Sequence, residues 1–346
     1  MEIIYTKKKG TIMMKRVFGL LLSLTLLLTC AVGCGDKTAE QTDPAPEQET
    51  AQLDYPTRSI NFVVPYGAGG GTDVMARAVV GALDLGVSTY VTNIEGASAG
   101  TGSMEVYHSD ADGYTLLVHQ AEALVTYVTT GTYSEALDTE LTPIATVAWD
   151  PMAVSVAANG RFKSLEEIVS YAKEHPGEIK WASVGTKSNN HLTSAMIWEA
   201  AGIDVTYVPY DSASKSKTAV LGGNADVLLG QVSEVKALVD SGEMVCVAVC
   251  SENRSTIENF TEVPTTVELG YDAIMGNHRG FFAPPELPQE ITEYLTAKIK
   301  EVYDTDAFKA SMAELGYECE FLDPGQIRDI IEETRPKIEN AMSVLD

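Results

Sequence analysis

The chain has 346 residues and a formal net charge of −25 at pH 7, with 24 Lys and Arg against 49 Asp and Glu. A protein this acidic is repelled by phosphate backbones, so nucleic acid is excluded as a partner, and so is membrane contact through a basic patch. An anionic small molecule is not excluded, because screening over about 8 Å lets nearby N–H groups outweigh distant charges.

Residues 1–33 have the order of a secretory signal. Two basic residues precede the leucine-rich run 17–28, and small residues stand directly before Cys34. This order is typical of bacterial lipoproteins, in which the cysteine is lipidated and becomes the first residue. The alternative is a plain membrane anchor, because residues 17–33 reach the shortest length that spans a bilayer. We expect an exported chain, held by Cys34 on the outer face of the cytoplasmic membrane.

Residues 34–54 are acidic and contain no aromatic side chain. Such a segment cannot build a core, and it predicts a flexible tether between the membrane and the folded part. Loss of residues 1–33 removes five basic residues and one acidic residue, which leaves 19 basic and 48 acidic residues and a net charge of −29. This charge favours solubility outside the cell.

Cysteine and histidine spacing predicts neither a disulfide framework nor a metal site. Cys246 and Cys250 lie in one apolar run. Four residues along a strand separate them by about 13 Å, which is beyond disulfide reach, so we expect buried thiols.

Residues 59–73, SINFVVPYGAGGGTD, predict a strand, a turn and the start of a helix. We call residues 67–71 the glycine turn. The first N–H groups of the helix stay unpaired at the positive end of its dipole, which indicates an anion site. Thr72 is interpreted as the N-cap of this helix. A dinucleotide site is the alternative, although the third glycine of its fingerprint is replaced, and no Gly-Lys-Ser/Thr follows for a phosphate loop.

A second block repeats this plan. Residues 179–184 predict a strand, residues 185–190 a polar turn, and residues 191–201 a helix. Carboxyl ends of parallel strands meet at one edge of a sheet, so the two blocks predict a cleft in which a ligand meets two helix N-termini.

Two other segments carry proline. Residues 141–155 are apolar but contain two prolines, which indicates a crossing between domains rather than one regular element. The last helix is expected from Pro324, broken or kinked at Pro336.

Short motifs follow one another from Tyr55 to Asp346. They include Ile60-Asn-Phe-Val-Val-Pro-Tyr66, Gly69-Gly-Gly-Thr-Asp73, Ala111-Asp-Gly-Tyr-Thr-Leu116, Asn190-His-Leu192, Val208-Pro-Tyr210 and Gly280-Phe-Phe-Ala-Pro284. In this order they resemble the extracytoplasmic receptors of tripartite tricarboxylate transporters. The resemblance covers the whole chain after the tether.

The resemblance implies an α/β, two-domain periplasmic-binding-protein fold of type II, with a ligand cleft between the domains. Residues 55–152 plus 268–346 would form domain I and residues 153–267 domain II. It further implies a receptor that is not an enzyme and uses no cofactor. Its partners would be a small organic acid, such as a di- or tricarboxylate or an acidic amino-acid-like compound, and the membrane permease subunits of the transporter.

The resemblance also implies which residues bind the ligand. They are Tyr66, Gly67, Ala68, Gly70, Thr72 and Asp73 near the glycine turn, Ser183, Thr186, Ser188, Asn190 and His191 near the polar turn, and Tyr210 and Gln231 beyond them. Neither turn contains an arginine for a bidentate clamp, so backbone N–H groups, hydroxyls and water are expected to hold the carboxylate.

Several of these residues also have a purely structural interpretation. Asp73 stabilises a helix start by itself, and His191 suits a hydrogen bond at such a start. Tyr66 and Tyr210 can simply pack, and Lys187 suits a solvated surface position.

The sequence departs from the family's pattern at Asp211, at Gly230-Gln231, and at His278 or Arg279, where a tryptophan is usual. The part of the site that contacts the far end of the ligand is therefore expected to differ from that of other family members.

Two other functions remain as alternatives. One is an enzyme, but export argues against a nicotinamide cofactor, and the absence of Gly-x-Ser-x-Gly argues against a serine hydrolase. The other is an exported sensory receptor of the same fold that signals to a membrane kinase.

Overall fold

The computed structural model describes residues 53–345, and all structural statements refer to this range. The predicted signal, Cys34 and most of the tether lie outside the described residues. Within the range, no helix has both the length and the apolar character needed to cross a bilayer.

Ten strands of the described residues join into one mixed sheet. In chain order they are β1 Ile60–Val64, β2 Thr89–Asn93, β3 Thr115–Gln120, β4 Thr142–Ala157, β5 Lys180–Val184, β6 Thr206–Tyr210, β7 Val227–Gln231, β8 Met244–Val249, β9 Gly276–Ala283 and β10 Glu318–Leu322. The main path is β2-β1-β3-β9-β4-β7-β5-β6, and β8 and β10 also pair with β4.

Eleven helices of the described residues connect or follow these strands. They are α1 Gly71–Ala82, α2 Gly100–Tyr107, α3 Ala121–Thr129, α4 Leu137–Glu140, α5 Leu165–Glu174, α6 Asn189–Ala201, α7 Ala213–Leu221, α8 Val232–Asp240, α9 Gln289–Tyr303, α10 Asp306–Glu314 and α11 Pro324–Leu345. The predicted α/β alternation is confirmed.

The sheet contains two groups of three parallel strands, β2-β1-β3 and β7-β5-β6. Each group belongs to one of the two repeated sequence blocks. In each group the strands inside the sheet, β1 and β3 or β5 and β7, are mostly buried, as parallel strands covered by helices require, whereas the edge strands β2 and β6 are partly exposed. The domain limits 55–152 plus 268–346 and 153–267 stay a prediction.

The expectation that residues 141–155 do not form one regular element is wrong. All but residue 141 lie in β4, a single strand of 16 residues. The two prolines of β4 disturb its pairing little. The register shifts next to Pro143, and Pro151 ends the pairing with β9 just before Met152 begins the pairing with β7. A missing N–H is tolerated where the ladder is interrupted or changes partner.

Pro336 does not break the last helix, which runs from Pro324 to Leu345. Ile331 and Ile338, on either side of the proline, are both buried in the core, so packing holds the helix across the lost hydrogen bond. The buried thiols expected at Cys246 and Cys250 are confirmed, and burial raises the pKa of Cys246 to about 12.

Candidate functional site

A cavity of about 500 Å³ lies where five strands end and five helices begin. It is lined by residues at the starts of α1, α3, α6, α7 and α8, each of which directly follows β1, β3, β5, β6 or β7. Helix N-termini present unpaired N–H groups and the positive end of the helix dipole. Their convergence makes the cavity suited to an anion.

The glycine turn leads into α1 without a side-chain cap. Gly70 is the N-cap, and no side chain caps the helix there. The first helical bond that returns to the cap joins the Val74 N–H to the Gly70 carbonyl, at 3.0 Å. The N–H groups of residues 71–73 have no acceptor within the helix, and they face the end of α1 at which a ligand would sit.

The interpretation of Thr72 as the N-cap is wrong, because Thr72 lies inside the first turn of α1. Its Oγ1 instead accepts hydrogen bonds from Arg279 Nη1 at 2.6 Å and from Gln120 Nε2 at 3.1 Å. Gly71 is constrained by space, since a Cβ there would overlap the Tyr317 hydroxyl and lie 3.5 Å from Arg279 Nη2. Tertiary contacts therefore fix the start of α1 from the cavity side.

Asp73 stabilises the glycine turn through hydrogen bonds on the side away from the cavity. Its carboxylate accepts hydrogen bonds from the Gly69 N–H at 2.8 Å, from Arg77 Nε at 3.0 Å and from Asn93 Nδ2 at 2.9 Å. Burial works against the charged form, but these donors, Arg77 first, hold the pKa of Asp73 below its ordinary value. Asp73 is buried and does not line the cavity.

The polar turn leads into α6 with a side-chain cap. Ser188 Oγ accepts from the His191 N–H at 3.3 Å. Asn189 and Asn190 follow and line the cavity. Asn189 Nδ2 donates to Asn277 Oδ1 at 2.8 Å, and this bond joins the start of α6 to strand β9. This side of the cavity therefore offers amide groups as well as backbone N–H groups.

His191 and Ser183 support the polar turn rather than facing the cavity. The His191 ring stacks on Tyr207, with centroids 3.7 Å apart and planes 10° from parallel. Burial and then the charge of Lys187 lower the pKa of His191 to about 4, so the imidazole is neutral. Ser183 is fully buried and hydrogen-bonds to the Tyr207 hydroxyl at 2.8 Å.

Arg279 is the central side chain of the remaining wall. We call this the far wall, and it is formed by Gln231, Ser233, Glu234, Asn277 and Arg279. The guanidinium donates through Nη2 to Asp150 Oδ2 at 2.7 Å and to Gln231 Oε1 at 2.8 Å. Only 3% of Arg279 is exposed, and none of Asp150. Its Nε is buried without a hydrogen-bond partner among the described residues.

Eight predicted residues line the cavity together: Tyr66, Gly67, Ala68, Gly70, Thr72, Ser188, Asn190 and Gln231. Five do not: Asp73, Ser183, Thr186, His191 and Tyr210. Thr186 is exposed on the polar turn, and half-buried Tyr210 packs against the core cluster around Val249 and Phe260.

Sequence reasoning missed twelve lining residues: Gly69, Gly71, Gln120, Ala123, Tyr127, Val184, Asn189, Ala213, Ser233, Glu234, Asn277 and Arg279. A usable signal existed for two of them. Asn277 and Arg279 are polar residues in a strand that is buried throughout. A charge in such a strand requires a partner and often marks a site.

Two parallel-strand groups whose helix starts surround one small cavity define a solute-binding class of protein. The sequence profile of the tripartite tricarboxylate transporter family receptor, TctC, matches residues 76–344, and the chain belongs to this family. It is a family of solute-binding receptors, which confirms that the chain is not an enzyme.

Individual relatives agree with this assignment. Protein BugT of Bordetella pertussis is 29% identical over 282 residues, which cover 80% of this chain and 86% of BugT. The crystal structure of a TctC solute binding protein from Polaromonas is 27% identical, with a TM-score of 0.72 over 84% of this chain and 99% of the other. An R. palustris protein with adipate is 25% identical, with a TM-score of 0.73 over 84% of this chain and 98% of the other. The predicted two-domain periplasmic-binding-protein fold is confirmed.

Proposed function

We propose that the chain is the exported receptor of a tripartite tricarboxylate-type transporter. It captures a small metabolite that bears a carboxylate and delivers it to membrane permease subunits. A lipid on Cys34 would keep the receptor at the outer face of the cytoplasmic membrane.

The observation that carries the proposal is the convergence of five helix N-termini on one cavity. The uncapped start of α1 leaves its first N–H groups for a ligand, and a carboxylate is the group that such a helix start binds best. The related R. palustris protein with adipate supports a small organic acid as the ligand.

Transport requires that the membrane subunits distinguish loaded from empty receptor. A carboxylate that contacts α1 from one sheet group and α6 from the other is bound best when the two groups lie close together. Its binding energy therefore shifts the population toward the closed form, and the permease recognises that form.

A ligand screen tests the proposal. The full-length chain is heated with mono-, di- and tricarboxylates, acidic amino acids or NAD, and hits are measured by calorimetry. A ligand at 100 times its Kd stabilises the folded state by about 2.7 kcal/mol, which a thermal shift detects. Stabilisation by NAD alone, or turnover of any acid, contradicts the receptor function.

A matched pair of variants tests the binding mode. Ala213 is the first residue of α7 and lines the cavity, and no hydrogen bond of its side chain is lost on substitution. Ala213→Asp adds a negative charge there, whereas Ala213→Asn adds the same bulk without charge. We expect the Asp variant to bind every carboxylate at least tenfold more weakly than the Asn variant. Equal affinities contradict a carboxylate at these helix starts.

The anchor and the partner are tested separately. Cys34→Ser should release the chain from the membrane fraction of the producing bacterium. Crosslinking in membranes should capture permease subunits in the presence of the ligand. Capture of a membrane kinase instead identifies the sensory alternative.

A further inference from the structure

The cavity lining holds two ionisable side chains of opposite type, the base Arg279 and the acid Glu234. Both belong to the far wall. The other described lining residues are glycine, alanine, valine and neutral polar or aromatic side chains, so this pair and its neighbours determine the charge of the far wall.

Arg279 is already neutralised by the protein. Its guanidinium lies 2.7 Å from the carboxylate of Asp150, which is completely buried. Three of its five donors are engaged with Asp150, Gln231 and Thr72. Both hydrogens of Nη2 are engaged, so no free pair of parallel donors remains for a second carboxylate.

Among the described residues, the carboxylate of Glu234 makes no comparable ion pair with a cation. Its Oε2 accepts the Gln231 N–H at 3.2 Å, and a Cβ on residue 230 would lie 3.2 Å from this oxygen, so Gly230 leaves room for the carboxylate. Lys217 Nζ lies nearby but donates to the Glu234 backbone carbonyl at 2.8 Å. Burial and then the negative charge of Asp150 raise the pKa of Glu234, and the opposing effects of the Gln231 N–H, Arg279 and Lys217 do not outweigh them.

Arg279 is therefore paired with Asp150 behind the far wall, whereas the acid Glu234 lines the cavity without an ion pair. We infer that the ligand is a carboxylic acid that also carries an ammonium or another cationic nitrogen, with the carboxylate at the helix starts and the nitrogen at Glu234. This inference rests on the proposed function. It predicts discrimination against a dianion whose second carboxylate would point at Glu234.

Matched acids test the inference by calorimetry on the full-length chain. Each pair differs in one position, which is a nitrogen in one member and a carboxylate or hydrogen in the other. The pairs are 3-aminopropanoate and succinate, 4-aminobutanoate and glutarate, 5-aminopentanoate and adipate, L-aspartate and succinate, and L-glutamate and glutarate. At least one nitrogen-bearing acid should bind ten times more tightly than its partner.

Glu234→Gln should reduce that preference at least tenfold, because the amide keeps the acceptor for the Gln231 N–H but loses the charge. Glu290→Gln, an exposed change on α9 that does not line the cavity, is the matched control and should leave the preference unchanged. The melting temperature without ligand shows that each variant folds.

A preference that survives Glu234→Gln overturns the inference. Tighter binding of every dicarboxylate also overturns it, but if that binding is weakened by Ala213→Asp the proposed function stands. Failure of every acid to bind overturns both.

Discussion

The glycine turn and the polar turn face the same cavity at equivalent places in the two sheet groups, but they are built differently. The glycine turn carries almost no side chains and leaves α1 uncapped, so it offers backbone N–H groups. The polar turn caps α6 with Ser188 and offers the amides of Asn189 and Asn190. The first turn is therefore suited to a charge, and the second to selective hydrogen bonding.

The two turns are also supported differently. The glycine turn is tied to the ionised carboxylate of Asp73. The polar turn rests on neutral His191, which stacks on Tyr207 and accepts the Lys187 N–H at 3.1 Å. Acid should therefore disturb the polar turn at a higher pH than the glycine turn.

The largest effect is expected from a cap on α1. Gly70→Asp supplies a carboxylate that takes the N–H groups a ligand needs, and we expect affinity for a carboxylate to fall more than 100-fold, or about 3 kcal/mol. Gly70→Asn keeps the cap without the charge, and its loss should be about tenfold. Both variants should unfold near the wild-type temperature. Unchanged affinity in Gly70→Asp contradicts the role of the glycine turn.

Asp73→Asn removes the charge that holds the glycine turn. Hydrogen bonds to a charged group contribute about 1.5–3 kcal/mol, so the free energy of unfolding in urea should fall by about 2 kcal/mol. Asp329→Asn, an exposed change on α11, is the control and should have little effect. Equal stability of the two variants would show that the turn holds its shape without the carboxylate.

His191 gives the polar turn its pH dependence. Its pKa falls from an ordinary value near 6.5 to about 4 on folding, so the unfolded chain binds the proton more tightly. Its contribution to stability is complete above pH 6.5 and is lost as the pH falls toward 4. His191→Phe keeps an aromatic ring on Tyr207. Between pH 7 and pH 4.5, its free energy of unfolding in urea should fall by about 1–2 kcal/mol less than that of the wild type. If the free energies of unfolding of the wild type and of His191→Phe change in parallel with pH, His191 is not the source of the pH dependence.

The smallest effect concerns the cap of α6. Ser188→Ala should lower the unfolding free energy by about 1 kcal/mol, since it loses the bond to the His191 N–H. Ser212→Ala removes the corresponding cap of α7, where the bond to the Lys215 N–H is longer at 3.4 Å, and it should cost less. The reverse order would show that Ser188 is dispensable to the polar turn.

Local signals explain what the sequence predicted well. The strand, glycine turn and helix at residues 59–73 follow from apolar residues and glycines that are adjacent in the chain. The start of α5 is also determined locally, because Ser164 Oγ accepts the Glu167 N–H at 3.2 Å, three residues along the chain. The lining residues that were predicted lie on or next to such local elements.

Long-range contacts explain what was missed. Thr72 looks like a cap in sequence, but it bonds to Arg279, 207 positions away. Arg279 enters the site on β9, an antiparallel strand between β3 and β4, so neither turn sequence contains its signal. The two prolines of β4 wrongly indicated an irregular segment for a similar reason, because pairing partners and register shifts are not visible in a single sequence.

The convergence of helix starts has a consequence for how this cavity changes over evolution or in the laboratory. The attraction for an anion resides in backbone groups, which most substitutions leave in place. In the proposed binding mode, selectivity resides in a few side chains of the far wall, which can be exchanged one at a time. A receptor built this way can acquire a new cargo without first losing the capacity to bind one, and redesign of its specificity can be confined to Gln231, Glu234 and Arg279.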